Sequence, residues 1–179
     1  MSKTEKTLRG ILVACIIAVL AMVVAPVEPA AARTVSDPGT PPTPTEMRGW
    51  RLERIWARQQ RAHDRMGFLF DHVEQRINRA QELIDRAASN GKDTSALQSA
   101  LDAFTRAVQD ARPSYESAKG IIASHAGFDA NGTVTDVEIA ATTVKDMAGK
   151  LGAVRSTLLP AMRELRDALR AFRDANRPG

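Results

Sequence analysis

Apolar residues recur every three or four positions along most of this chain from residue 44 onward, which is the spacing of a buried helix face. The periodicity is interrupted at Asn90-Gly91 and again over residues 127–134. The predicted helices span about 44–89, 94–126 and 136–176. Because the first connection is short, the first two helices should be antiparallel neighbours. We therefore expect an all-α fold, an elongated antiparallel bundle of three long helices.

Two prolines lie inside the predicted second and third helices, at Pro113 and Pro160. Proline normally kinks or breaks a helix, because it removes a backbone donor. The heptad phase is the same on both sides of each proline, so we expect kinked but continuous helices, with the carbonyls of Gln109 and Ser156 turned to solvent. The alternative is a true break at each proline, which gives four or five shorter helices. In the first helix, Gly67 is the most favourable break point.

The first 32 residues have the three parts of a secretory signal peptide: a basic start, an unbroken apolar run over 11–25, and small residues at 30–32. We expect cleavage near Ala32 and an extracytoplasmic mature chain, an address that argues against nucleic acid as a partner. Because the apolar run is close to the shortest that spans a bilayer, an uncleaved signal anchor is the alternative. Lipidation at Cys15 is a third interpretation, but it would leave an apolar tail after the modified residue.

Residues 33–43 are rich in proline and threonine and should form an extended, solvated linker. The linker ends in a helix start, with Thr43 and Glu46 as a capping box and Pro44 at the first helical position. The predicted bundle domain is therefore 44–179. Because Cys15 is the only cysteine, this domain has no disulfide, thiolate nucleophile or cysteine metal site. From residue 33 onward the chain has 22 basic and 19 acidic residues, a mild excess.

Both tryptophans of the chain lie near the start of the first helix, at Trp50 and Trp56, together with Leu52 and Ile55. Since the second helix is shorter than its neighbours, we expect the start of the first helix to overhang it and to expose this apolar stripe among arginines. The predicted contact residues for a protein partner, a second copy or a membrane surface are Trp50, Trp56, Arg51, Arg54 and Arg58. The alternative is that the third helix or the linker folds back over the stripe.

The loop 127–138 resembles an EF-hand calcium loop when aligned on Gly132, with Asp129, Asn131 and Glu138 at ligand positions. The first ligand position fails, because it is occupied by Gly127. The same residues also fit a simple connection. Asn-Gly is typical of a turn, and Thr135 with Glu138 has the spacing of a capping box for the third helix.

The histidines are weak candidates for chemistry, because their spacing does not place two metal ligands one turn apart, except His125 with Asp129 across a predicted helix end. His63 falls on the apolar stripe and is expected to be a core or interface residue, and His72 lies on another face. The sequence has no serine elbow, phosphate-cradling glycine loop or pair of carboxylates in an apolar setting. We therefore expect a non-enzymatic protein without a cofactor.

Three groups of residues resemble uncharacterised secreted helical proteins of bacteria. They are 51–54 with 58–60, 81–85 with 90–94, and 125–129. This resemblance implies a fold and an address, and no activity. The general character is also similar to small periplasmic helical chaperones of the Spy and CpxP kind, although their Leu-Thr-x-x-Gln motif is absent.

Two functions are consistent with these features. The first is an extracytoplasmic helical protein that binds a protein partner, itself or a membrane surface through the start of the first helix, in an envelope-stress or chaperone-like role. The second is an envelope protein that binds calcium or another metal through the loop 127–138 or His125. A passive structural rod is a third interpretation, which predicts no ligand.

Overall fold

The computed structural model describes residues 43–176. The predicted signal peptide or anchor, and the predicted linker up to residue 42, lie outside the described residues. The described part contains three helices, α1 (Pro44–Ser89), α2 (Ser95–Ser124) and α3 (Val137–Ala175). The predicted all-α bundle is confirmed, and each predicted helix end lies within two residues of the observed one. None of these three helices is apolar enough over a sufficient length to cross a bilayer.

Contacts between the helices give their relative directions. On α1 and α2, Gln81 hydrogen-bonds to Gln98 and the His63 ring stacks on Tyr115, so the residue numbers run in opposite directions. On α1 and α3, Arg48 contacts Glu138 and Gln59 contacts Val144, so the numbers rise together. The middle helix is therefore antiparallel to both of its neighbours. At about 1.5 Å per residue, the 46 residues of α1 extend for about 69 Å.

Helix α1 begins at the predicted capping box. The Thr43 hydroxyl accepts a hydrogen bond from the Glu46 amide, and the Glu46 carboxylate accepts one from the Thr43 amide. These bonds hold the pKa of Glu46 below its ordinary value, with the backbone bond as the larger cause. The helix then continues through Gly67 without the break that the sequence favoured there.

Helices α2 and α3 are continuous through their prolines. Pro113 and Pro160 are exposed, and so are Gln109 and Ser156, whose carbonyls lose a backbone donor. Because water can reach both positions, the missing hydrogen bond is tolerated within each helix. The interpretation as four or five shorter helices is wrong.

The buried apolar residues form two clusters along the bundle. The rear core joins the second half of α1, most of α2 and the second half of α3, with Phe104, Leu97 and Val73 among its most deeply buried side chains. The front core lies at the other end. It consists of Leu52, Trp56, Ala118, Phe128, Ala140, Val144, Met147 and Leu151.

Candidate binding face of helix α1

The start of α1 is covered on its inner side, which corrects the expected overhang. The connection between α2 and α3 occupies the place that the shorter α2 leaves vacant. The Phe128 ring stacks on Trp56 with centroids 4.9 Å apart, and only 1% of Trp56 is exposed. Leu52 is also buried in the front core. In this structure Trp56 is therefore a core residue covered by the loop, and not the exposed contact that the sequence predicted.

The loop that covers Trp56 is stabilised by its own backbone. Phe128 and Val134 form an antiparallel bridge, and the Val134 amide donates to the Glu53 carboxylate of α1 at 3.0 Å. Gly127 has φ +81°, and a Cβ there would lie 2.3 Å from the backbone nitrogen of Ala140. Only glycine fits this approach without strain. Phe128 could have been found in the sequence as the one aromatic residue in a segment of small and polar residues.

The outer side of the same part of α1 carries a row of five exposed arginines. They are Arg51, Arg54, Arg58, Arg61 and Arg65. Spacings of three and four residues place them on one helix face, and 14 residues of helix give the row a length of about 21 Å. The predicted contact residues Arg51, Arg54 and Arg58 thus lie together, and Arg61 and Arg65 extend the face. We call these five residues the arginine face.

Few of these cations are neutralised within the protein. Over residues 43–176, none of the five arginines takes part in an ion pair, and the single hydrogen bond among their side chains runs from Arg61 Nε to its own helix at Ala57. The next arginine, Arg48, differs because it pairs with Glu138 at 2.6 Å. The arginine face therefore keeps its charge available for a partner.

The positive charge of the described chain is concentrated in this region. Residues 43–66 contain six arginines and three acidic residues, a net charge of +3. Residues 67–176 contain 14 basic and 15 acidic residues, a net charge of −1. The remainder of the bundle is therefore close to neutral, and an anion would be attracted to the start of α1.

Exposed apolar side chains flank the arginine face. Trp50 is 51% exposed and Met47 is 41% exposed at one end, while Phe68 is 42% exposed at the other. Phe68 packs against His72 with ring centroids 4.3 Å apart, and the Arg76 guanidinium lies 5.6 Å from its centroid. Trp50, unlike Trp56, is placed where the sequence predicted a contact residue. Ile55 is also exposed, at 40%.

A layer of buried polar side chains separates the two cores behind this face. Gln59 and His63 of α1 are both buried, and His63 is only 7% exposed. The Gln59 side-chain amide donates to the Val144 carbonyl at 2.9 Å, but its Oε1 has no partner, and neither ring nitrogen of His63 has a hydrogen-bond partner. The nearest carboxylate oxygen, on Asp64, is 3.7 Å from His63 Nδ1, which is too long for a hydrogen bond. We call Gln59 and His63 the polar seam.

Tyr115 of α2 lies against the polar seam. Its ring stacks on His63 at 4.6 Å and on Phe70 at the same distance. Burial raises the pKa of Tyr115 above its ordinary value, and the nearby carboxylates Asp71, Glu116 and Asp64 act in the same direction. His63 is thus a core residue, as the sequence indicated. The pattern did not show that its nitrogens would be unpaired.

The residues of the predicted calcium loop have other partners. Asp129 Oδ1 accepts from the Asn131 and Thr133 amides, and the hydrogen bonds, chiefly that from Thr133, hold the pKa of Asp129 below its ordinary value. The Glu138 carboxylate pairs with Arg48. The cap of α3 is Asp136, which accepts from the Glu138 and Ile139 amides, so the predicted Thr135 capping box is wrong.

The histidine and acidic side chains elsewhere in the described chain are likewise too far apart to form a metal site. Between residues 43 and 176, no three histidine or acidic side chains converge on a point that could hold a metal ion. His125, in the left-handed conformation at the end of α2, contacts the Ala123 carbonyl through its ring. Helix ends, turn contacts and ion pairs therefore explain the positions that the sequence offered as ligands.

Comparisons of this chain with protein-family models, with curated proteins and with solved structures give no match. The resemblance to secreted helical proteins of bacteria stays a prediction.

Proposed function

We propose that this protein is a non-enzymatic membrane-surface binder, which docks on anionic lipid through the arginine face of α1. The single observation that carries the proposal is the row of five exposed arginines without ion pairs, in residues 43–66, which hold the excess positive charge of the described chain. An anionic lipid surface attracts each nearby arginine by about 1 kcal/mol, so five together favour docking by about 5 kcal/mol. Such binding is reversible and weakens with salt.

The form of the face favours lipid over an acidic protein. Its arginines follow a straight line on one rigid helix, which suits a flat and extended layer of phosphates. Trp50 and Met47 lie exposed beside the row, and tryptophan is enriched where proteins meet the interface of a bilayer. An extracytoplasmic address, as the sequence predicts, would place the protein beside such a surface. The envelope-stress and chaperone-like roles remain predictions with no contact that favours them.

The emission of Trp50 tests this proposal, because this side chain adjoins the arginine face. In a Trp56→Phe variant, which keeps an aromatic ring against Phe128, Trp50 is the only tryptophan of the chain. We expect a blue shift with vesicles that contain phosphatidylglycerol and none with phosphatidylcholine alone. Because the emission comes from Trp50 alone, it reports contact at this face and does not respond to insertion of the predicted leader. If Trp56→Phe perturbs the fold, the contribution of Trp50 can be obtained by subtracting the emission of the Trp50→Phe variant from that of the wild type.

Charge reversal provides the matched control. The triple variant Arg54→Glu, Arg58→Glu and Arg61→Glu should abolish the shift. The variant Arg155→Glu, Arg163→Glu and Arg170→Glu makes the same change in net charge at exposed positions of α3 and should leave the shift intact. An equal loss in both variants would refute a localised face.

Two other results would replace the proposal. A shift of Trp50 emission with soluble polyglutamate, but not with anionic vesicles, would indicate an acidic protein partner. No response to either polyanion would favour the passive rod.

A further inference from the structure

The part of α1 that carries the arginine face is weakly joined to the bundle. We call residues 44–66 the front segment. Its large buried apolar side chains are Leu52 and Trp56, and farther along its inner side come Gln59 and His63 of the polar seam. Separation of the front segment would give water to the unpaired Gln59 Oε1 and to both His63 nitrogens. Hydration of these polar atoms therefore offsets part of the cost of exposing the two apolar side chains.

The neighbouring helices also cover the front segment incompletely. Helix α2 ends at Ser124, so the contacts behind the start of α1 come from the loop and from the first turns of α3. A groove open to solvent lies between α1 and the end of α2, lined by Ala57, Gln60, Arg61, Asp64 and Ile122. The remainder of α1 is different, because it packs into the rear core against both other helices.

A glycine marks the boundary between the two parts of α1. Gly67 follows His63 by one turn, and the Tyr115 hydroxyl occupies the space of its missing side chain, 2.7 Å from where a Cβ would lie. A glycine inside a helix lowers the local preference for helical geometry by about 1 kcal/mol relative to alanine. Gly67 therefore weakens the helical preference of α1 at the point where the polar seam ends.

We propose that the front segment swings away from the bundle about Gly67, and that the released helix turns its Leu52 and Trp56 side into the lipid surface. The inference rests on the proposed docking on anionic membranes and adds a conformational step to it. The released segment has arginines on one face and Leu52 and Trp56 on the other, with the exposed Ile55 between the two faces. An amphipathic helix of this kind lies in the plane of the interface, with its aromatic face inserted and its arginines near the headgroups.

A disulfide that holds the front segment closed tests this step. A Cβ at position 49 would lie 4.0 Å from the Val134 Cβ, which is within the range that a disulfide spans. The lock is Gly49→Cys with Val134→Cys, in a chain that also carries Cys15→Ser so that no third thiol competes. Because Gly49 is on the buried side of α1, the lock leaves the arginine face exposed.

The readout is quenching of Trp56 by brominated lipid in anionic vesicles, in the Trp50→Phe background. We expect strong quenching in the reduced protein, at least a threefold smaller effect in the oxidised protein, and recovery on reduction. Gly49→Cys alone, treated with the same oxidant, should be quenched like the reduced protein. Equal quenching in the oxidised and reduced forms, or none in the reduced form, would overturn the swing.

The docking proposal is tested separately with the same disulfide lock and the same vesicles. With Trp56→Phe in place of Trp50→Phe, the locked protein should show the Trp50 blue shift, because docking through the arginine face does not require release. A Trp50 shift without Trp56 quenching leaves the docking proposal standing and overturns the swing. Trp56 quenching without any dependence on anionic lipid would instead contradict docking through the arginine face.

Discussion

The rear core joins all three helices through 20 buried apolar residues, whereas the front core has eight and borders a polar seam with three unpaired buried atoms. Net charge divides the chain in a similar way, with the positive excess over residues 43–66. The comparison suggests that the rear core supplies most of the stability and that the front region is specialised for binding. Segments that move or bind are generally drawn from the less stable part of a fold.

The largest expected effect is a difference between two aromatic truncations. Phe104 lies in the rear core and is only 1% exposed. Phe104→Ala leaves a cavity there and should lower the free energy of unfolding by about 3–5 kcal/mol. Trp56→Ala should lower it by less, because the loss cannot exceed the free energy with which the front segment closes. Denaturant unfolding of both variants measures the difference. A larger loss for Trp56→Ala would invert the comparison.

Two glycine substitutions should act in opposite directions. Gly127→Ala introduces a Cβ against the Ala140 backbone at a residue with φ +81°, and should destabilise the front region by about 2 kcal/mol or more. Gly152→Ala lies inside α3 with nothing within 4 Å of the new Cβ, and should stabilise by up to about 1 kcal/mol. Thermal unfolding of the pair checks both signs. A stable Gly127→Ala protein would show that the loop packing is dispensable.

Replacing the unpaired imidazole of His63, at the boundary between the two cores, should raise the free energy of unfolding. His63→Leu fills a similar space without buried polar atoms, and we expect a gain of about 1–2 kcal/mol. The same change at exposed His72 should alter stability by less than about 0.5 kcal/mol. Chemical denaturation of the two variants provides the measurement. A loss of stability in His63→Leu would mean that the imidazole has an essential partner in solution.

The smallest expected effect is a loss of stability at alkaline pH, when Tyr115, the only tyrosine of the chain, ionises. Burial raises its pKa above the ordinary value of 10.0, so the folded protein holds this proton more tightly than the unfolded chain. The corresponding stability is complete below that ordinary value and is lost as pH rises through the raised pKa. Titration of the phenolate absorbance should give a higher midpoint in folded than in denatured protein. Equal midpoints would place Tyr115 in water.

The sequence predicted the helices accurately because their apolar positions keep one phase over many turns. The phase even survives Pro113 and Pro160, where the exposed faces of α2 and α3 tolerate the missing backbone donors. Asn90-Gly91 was recognised for the same local reason, and Gly91 has φ +71°. Such features depend on neighbouring residues alone, so they can be recognised in one chain.

The fate of the two tryptophans could not be predicted in this way. Trp50 and Trp56 have similar sequence surroundings, but the α2–α3 loop covers Trp56 through Phe128 and leaves Trp50 exposed. That difference depends on the path of a loop more than 70 residues away along the chain. Likewise, the arginine face was only partly predicted. The spacing already aligned Arg61 and Arg65 with the other arginines, but the lack of ion pairs on this face of the described chain could be seen only in the structure.

Native-state hydrogen exchange tests the central claim most directly, because it measures the stability of the two regions in one experiment. We predict that backbone amides of α1 over 52–63 exchange at least about tenfold faster than those of α2 over 97–111, through openings that do not require global unfolding. Equal protection of both stretches, limited by global unfolding, would contradict a separately opening front region.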